Sequence, residues 1–318
     1  MPLPSYDELP ETGDGARSAW GLFGQDDSTG LLNLVTPEVT LSAAGLIQTG
    51  EVFPLDLPFD YLSPPLFGRS PLIVEMVQMR NGQGLDEVYN GFNTQASSQW
   101  DSLAHVAYKA DTFYNGATLQ QVLNERRNTI EHWAAHGIAT RGVLLDLRRA
   151  AQQRGDDYDP GTSHAFTVDD LERARAAAGL EFRAGDVLLL RTGFLEWYGH
   201  LTPDARKAIA TKESLRACGV EHTEQMARYL WNTHAIGVAT DCPALEVWPM
   251  DHSPELFPFG MLHQILLAQF GMGIGELWNL DPLADWCARH GRAEFFLTSA
   301  PLNRPGGVAS PANALAIT

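Results

Sequence analysis

The 318-residue sequence predicts an α/β fold organised on a substantially parallel or mixed sheet. Two patterns carry that expectation. Short apolar runs of strand length recur from residue 141 onward, and capped segments with helical periodicity alternate with them. A third observation concerns organisation. No repeat, low-complexity block or convincing linker interrupts the chain, so residues 1–318 are read as one domain, with about the first 18 residues as an extended N-terminal arm.

The elements follow in order. Residues 52–72, VFPLDLPFDYLSPPLFGRSPL, hold five prolines and read as a long irregular loop near a strand. In NTQASSQWDSLAH (93–105), Gln95, Gln99, Asp101 and His105 are all odd-numbered. In a strand, alternate side chains share a face, so an extended segment here lines up four coordinating groups and turns Trp100 away from them. From 118 to 136, Leu119, Val122, Leu123, Ile130, Trp133 and Ala134 form a helical stripe that stops at Gly137. RGVLLDL (141–147) reads as a buried strand. Thr167 with Asp170 forms a capping box for a helix through Ala178, ended by Gly179. AGDVLLLRTGF is a second buried strand, HTEQMARYLWNTHA a capped helix and AIGVATD a third strand. His263 then falls in an apolar helix, and Glu276 in a strand after a glycine-rich turn.

Composition narrows the function classes. A content of 44% hydrophobic and 19% charged residues belongs to a folded soluble protein, and 318 residues suffice for a sizeable core. The net charge of −17 argues against nucleic acid and anionic membrane surfaces as partners. Apolar runs such as VLLL near 190 are far too short to span a membrane, and the acidic, proline-rich N-terminus lacks a secretory pattern. The expected location is cytoplasmic. Three separated cysteines, Cys218, Cys242 and Cys287, form neither a disulfide framework nor a CxxC pair.

Several stretches carry candidate chemistry. Asp101 is an anionic metal ligand by type, His105 a nitrogen ligand or general base, and the two glutamines neutral carbonyl donors. The same residues can also be a polar strand end whose amides satisfy backbone groups. His263 alone reads as a hydrogen-bonded core histidine. A buried Glu276, however, needs compensation, which a cation shared with Asp101 and His263 supplies. GMGIG (271–275) does not follow a strand and open a helix, so a dinucleotide loop is rejected. TDCPALEVWP (240–249) offers Asp241, Cys242 and Glu246. A catalytic cysteine there lacks a basic activator nearby, and a structural turn is the simpler reading.

WDSLAH, YNG (114–116), RGVLLDL, GDVLLLRTGF, LHQILLAQFGMGIGE and SPANALAI together resemble the cyclase family that includes bacterial kynurenine formamidase and isatin hydrolase. The resemblance runs from WGLFGQDDSTGLLNL (20–34) to residue 317. That family's signature HxGTHxDxPxH, laid on this sequence, puts its histidines on Gln95, Gln99 and His105 and its aspartate on Asp101. Ser97 and Ser98 replace the GT pair, and the later ligands fall on His263 and Glu276. The resemblance implies a swivelling β/β/α fold, a homodimer or homotetramer, and one divalent ion, Mn²⁺ or Zn²⁺, held by Gln95, Gln99, Asp101, His105, His263 and Glu276. Two amides in place of imidazoles imply weaker metal binding and a QWD-containing branch.

The implied activity is metal-dependent hydrolysis of a cyclic amide, formamide or lactone by activated water, with His105 and Glu276 in catalytic roles. A lyase, cyclase or dehydratase using the same ion, and a non-catalytic small-molecule binder, are the alternatives. Phe59, Tyr61, Phe67 and Arg69 are the candidate substrate-binding residues, by aromatic loop composition, with Trp100 beside them.

Overall fold

Residues 3–318 are described in a computed structural model of the chain. Its strands are β1 (Val52–Pro54), β2 (Ile73–Gln78), β3 (Leu85–Gly91), β4 (Gln99–Asp101), β5 (Ile138–Asp146), β6 (Ala165–Phe166) and β7 (Val187–Arg191). They continue as β8 (Gly219–Val220), β9 (Gly237–Thr240), β10 (Gly273–Glu276), β11 (Glu294–Ser299), β12 (Ala309–Pro311) and β13 (Ala314–Ile317). Nine of them form one sheet in the order β1-β13-β11-β5-β7-β9-β10-β4-β12. The centre, β5-β7-β9-β10, is parallel, and both flanks are antiparallel.

The central strands are apolar on both faces because both faces are covered. Val143, Leu144, Leu145, Val187 to Leu190, Val238 and Ala239 are all buried. Each such leucine contributes roughly 1.5–3 kcal/mol over an exposed one, before chain entropy is counted. The helices that cover them start where the sequence places caps. Thr167 accepts from the Asp170 amide to open Val168–Ala177, and Thr223 accepts from the Met226 amide to open Glu224–Asn232. Met226, Ala227, Leu230 and Trp231 then form that helix's buried stripe.

Two expected elements are corrected. The single helix over 118–136 is two, Leu119–Glu125 and Glu131–His136. Arg126 and Asn128 between them take left-handed backbone at φ 61° and 68°, and the Asn128 amide donates to the Tyr114 carbonyl at 2.8 Å. Asparagine tolerates that conformation better than most residues, and the break leaves Leu119 and Leu123 exposed. The strand over 93–105 covers only Gln99–Asp101, with turns on either side.

The described part of the N-terminal arm, residues 3–18, lies on the body, while Met1 and Pro2 fall outside the described residues. Tyr6 is buried edge-on against Phe270, and the Trp231 indole donates to the Pro4 carbonyl at 2.9 Å. Phe270 ends the helical segment that carries His263, which turns at Gly271. Gly271 has φ 66°, and a Cβ on Gly30 would sit 2.2 Å from its carbonyl oxygen, so two glycines let the chain pass closely there. By contrast, β2 and β3 form a separate hairpin exposed on both faces. Among the described residues no helix is long and apolar enough to cross a membrane.

Candidate metal centre

β4 pairs antiparallel with β10, setting Gln99 opposite Glu276 and Asp101 opposite Ile274. Within β4 the alternation holds. Gln99 and Asp101 face one way, while Trp100 goes into the core against Trp133 and Trp278 and donates to Ser299 Oγ at 3.0 Å. Trp100 is therefore packing, and its candidate role in substrate binding is withdrawn. Gln95 and His105 reach the same place from the flanking turns: Gln95 Nε2 donates to Asp101 Oδ1 at 2.8 Å and lies 3.1 Å from His105 Nε2. The shared wall exists, but turns build most of it.

His263 comes from a four-residue helix, Leu262–Ile265, that continues as a π-helical segment, Leu266–Phe270. Such irregular turns are frequent at functional sites. Its Nε2 lies 3.1 Å from Glu276 Oε1 and 3.8 Å from Asp101 Oδ2. One donor atom from each of Asp101, His263 and Glu276 falls within 4.8 Å of the others, and all three residues are buried. His105 Nε2 is 3.9 Å from Asp101 Oδ2. Gln99 Nε2 donates to Glu276 Oε2 at 2.5 Å.

Sequence reasoning missed Glu246. It is fully buried after β9, and its carboxylate accepts from His263 Nδ1 at 2.9 Å and from the His263 amide at 3.3 Å. The available signal was a carboxylate inside an otherwise apolar turn, since a buried charge needs a partner. Burial lowers the His263 pKa, but the charges and hydrogen bonds of Glu246 and Glu276 outweigh it and hold it well above the ordinary value, so Nδ1–H is directed at Glu246 and a cation at Nε2 would replace the proton that faces Glu276. This is how metal-binding histidines are commonly oriented.

These groups fit a cation. Among the described residues Asp101 Oδ2 and Gln99 Oε1 are buried with no hydrogen-bond partner, and Asp101, Glu246 and Glu276 place three carboxylates around one buried imidazole. Burial and the nearby Asp101 charge hold the Glu276 carboxyl above the usual range. Burial raises Glu246 too, but the charge and hydrogen bond of His263 outweigh it and bring that carboxyl below its ordinary value. Burial lowers His105, only partly offset by Asp101, which favours a neutral ring at pH 7. A divalent ion among Asp101, His263 and Glu276 would balance the excess of negative charge.

An open cavity of ≈ 210 Å³ adjoins the centre, lined among others by Phe67, Arg69, His105, Trp248, His263 and Glu276. Of the four loop candidates, Phe67 and Arg69 line it. Phe59 packs on Phe92, and Tyr61 on Tyr198, so composition alone placed those two wrongly. Cys242 is buried and its thiol is pushed well above the ordinary value by burial, so no reactive thiolate stands there. Asp241 beside it accepts the Thr192 and Gly193 amides at 2.6 and 2.8 Å, as a structural turn does.

Comparison with known proteins places this geometry. A family model described as "Putative cyclase" matches residues 50–247, which contain Asp101, His105 and Glu246. A crystal structure of a novel cyclase is 32% identical, covers 95% of this chain and 99% of its own, and superposes with a TM-score of 0.82. Isatin hydrolase A from Labrenzia aggregata, bound to benzyl benzoate, shares the fold at 16% identity and TM-score 0.61, over 86% of this chain and 94% of its own. An isatin hydrolase bound to the product analogue thioisatinate does so at 16% identity and TM-score 0.57, over 89% and 99%. No curated protein matches the chain. The matched model and the 32% identical structure, together with the shared mixed α/β fold, establish that this chain belongs to the cyclase family.

Proposed function

We propose that the chain is a metal-dependent hydrolase of a small cyclic amide, formamide or lactone. The observation that carries this reading is the buried Asp101–His263–Glu276 cluster, with its unpartnered Asp101 Oδ2, beside a cavity wall that presents His105. The three residues would hold one Mn²⁺ or Zn²⁺. When bound, such an ion polarises a carbonyl and acidifies water.

The protein's own groups supply the rest. Gln99 steadies the Glu276 carboxylate, and Glu246 orients His263. Gln95 offers one N–H to Asp101 and the other toward His105, fixing their spacing. His105, kept neutral by burial, takes the proton of a water adding to the substrate carbonyl carbon. As the C–N or C–O bond breaks, the same imidazolium returns that proton to the departing nitrogen or oxygen.

Self-association with a second copy belongs to the same reading, supported by the apolar residues that the β2–β3 hairpin exposes, Ile73 at 54%, Met76 at 56% and Leu85 at 63%. The test of function is metal content after purification without chelator, followed by pH-stat turnover of simple imides, formamides and lactones. Metal held at about one equivalent and base consumption lost on chelation are expected. A metal-free protein with no uptake of added Mn²⁺ or Zn²⁺ would remove the reading. Light scattering at micromolar concentration addresses assembly, and a monomer there would remove the second copy.

A further inference from the structure

The cavity beside the centre has a composition that the centre itself does not need. Along one wall the Arg69 guanidinium sits 4.8 Å over the Phe67 ring. Phe67 meets Trp248 edge-on at 4.9 Å. The Lys212 ammonium lies 5.8 Å over the Trp248 ring. Two aromatic faces are thus flanked by two cations, and neither cation forms an ion pair among the described residues. His252 lies on the same lining, where Glu276 at the buried floor is the single carboxylate.

That arrangement runs against the overall charge of the chain. With a net charge of −17 the molecule repels anions at long range, so a cavity wall with two cations and a single buried carboxylate is a local reversal of sign. Leaving Arg69 and Lys212 unpaired at a cavity mouth leaves their charge available to a guest. Arg69 donates to the Gln95 carbonyl, which fixes the guanidinium at the edge of the centre, and its charge reaches both His105 and Glu276. Lys212 is exposed on the other side of the aromatic pair.

We infer that the substrate is a planar acid of one or two rings, carrying a carboxylate before the reaction, bound with its ring on Phe67 and Trp248 and its charge between Arg69 and Lys212. This rests on the hydrolase reading and names the substrate class of that site. The size agrees: ≈ 210 Å³ is below the range for drug-sized ligands. The polarity agrees as well. A carboxylate formed by the reaction would appear at the floor, beside Asp101 and Glu276, whereas Lys212 stands at the exposed mouth. A guanidinium that is planar and always charged suits a carboxylate, and the rings suit an aromatic face.

The test uses benzoate and its neutral isostere benzamide as probes, with calorimetry and tryptophan fluorescence, on metal-loaded and on chelator-treated protein. Wild-type protein should bind benzoate at least about tenfold more tightly than benzamide in both states, and less tightly as salt rises. Arg69→Gln and Lys212→Gln should each weaken benzoate about five- to tenfold and leave benzamide and metal content unchanged, while Arg69→Lys retains most of the preference. Equal affinity for the two probes, or a benzoate preference that vanishes on chelation, overturns the inference. The second result would mean that the carboxylate had been on the metal. Metal uptake is read separately in the same samples. Its failure in wild-type protein sinks the hydrolase reading and leaves the two probe affinities to decide the pocket.

Discussion

Two kinds of buried charge occur in this molecule, and they are built on opposite rules. In β5, Arg141 gives Nε and Nη2 to Asp186 at 2.9 and 2.7 Å, Nη1 to Glu294 at 2.6 Å and Nη2 also to the Glu181 carbonyl at 2.7 Å. At the end of β7, Arg191 bonds Asp281, Asp146 and Glu196 at 2.6, 3.1 and 2.8 Å. Each guanidinium fork is matched by carboxylates on neighbouring elements, which locks the register of the central strands. The Asp101 cluster is not closed in this way. Three carboxylates surround one buried histidine, and Asp101 Oδ2 and Gln99 Oε1 have no partner among the described residues. Satisfied charge holds the frame together, while unsatisfied charge marks the place kept for something else.

That contrast can be broken at either end. The largest effect should come from Asp101→Asn, which removes half the anionic charge assigned to the ion. Bound metal and turnover should fall to background, while urea unfolding of the chelated protein changes by less than about 1 kcal/mol, because an uncompensated charge has been removed rather than a pair. Retained metal would mean that the cluster is held by something other than this carboxylate. Arg141→Ala should do the reverse. Loss of a buried guanidinium that leaves Asp186 unpaired should cost about 3–5 kcal/mol, with metal per folded molecule unchanged. A shift below about 1 kcal/mol in the denaturant midpoint analysis would show that the two clusters do not differ in kind.

A smaller effect is expected from His105→Gln, which can still hydrogen-bond to Gln95 but cannot carry a proton. It should lower kcat about 10²-fold with KM nearly constant. Near-normal kcat would move the proton transfer to Glu276 or His263. The smallest expected effect is a gain. Gln95→His or Gln99→His offers imidazole where an amide stands, so competition with a zinc indicator should give about tenfold tighter binding for at least one of them. Unchanged affinity in both would show that the amides serve the carboxylates, as Gln99 does for Glu276, and do not touch the ion.

The sequence made the parallel centre of the sheet readable because its strands are apolar on both faces and its helices begin at Thr167 and Thr223, where local chemistry and burial agree. Reading failed where long-range contacts overrode local pattern. Arg126 and Asn128 break a periodic stripe because Asn128 is claimed by Tyr114. Period-two alternation found the right neighbours in Gln95, Gln99, Asp101 and His105, yet it holds only across Gln99–Asp101, and the outer two arrive through turns that no periodicity encodes. The placing of His263 and Glu276 with Asp101 rests on the compensation a buried Glu276 needs and on the family resemblance, since nothing local links residues so far apart. Glu246 was quoted but assigned to a turn, because its partner His263 is brought to it only by folding. Phe59 and Tyr61 failed for the same reason: aromatic composition does not say which way a loop side chain turns.

The β2–β3 hairpin has a consequence for motion. Paired only with each other and wet on both faces, two strands are marginal by themselves, so their opening free energy lies near the bottom of the molecule's range. Their amides should exchange with deuterium far sooner than those of β5 and β7. Since β3 ends at Gly91, four residues before Gln95, this marginal hairpin is tethered directly to a residue that bridges Asp101 and His105. Exchange protection in residues 73–91 is then a clock for the site's own order, slowing whenever a second copy or a guest steadies that end of the chain.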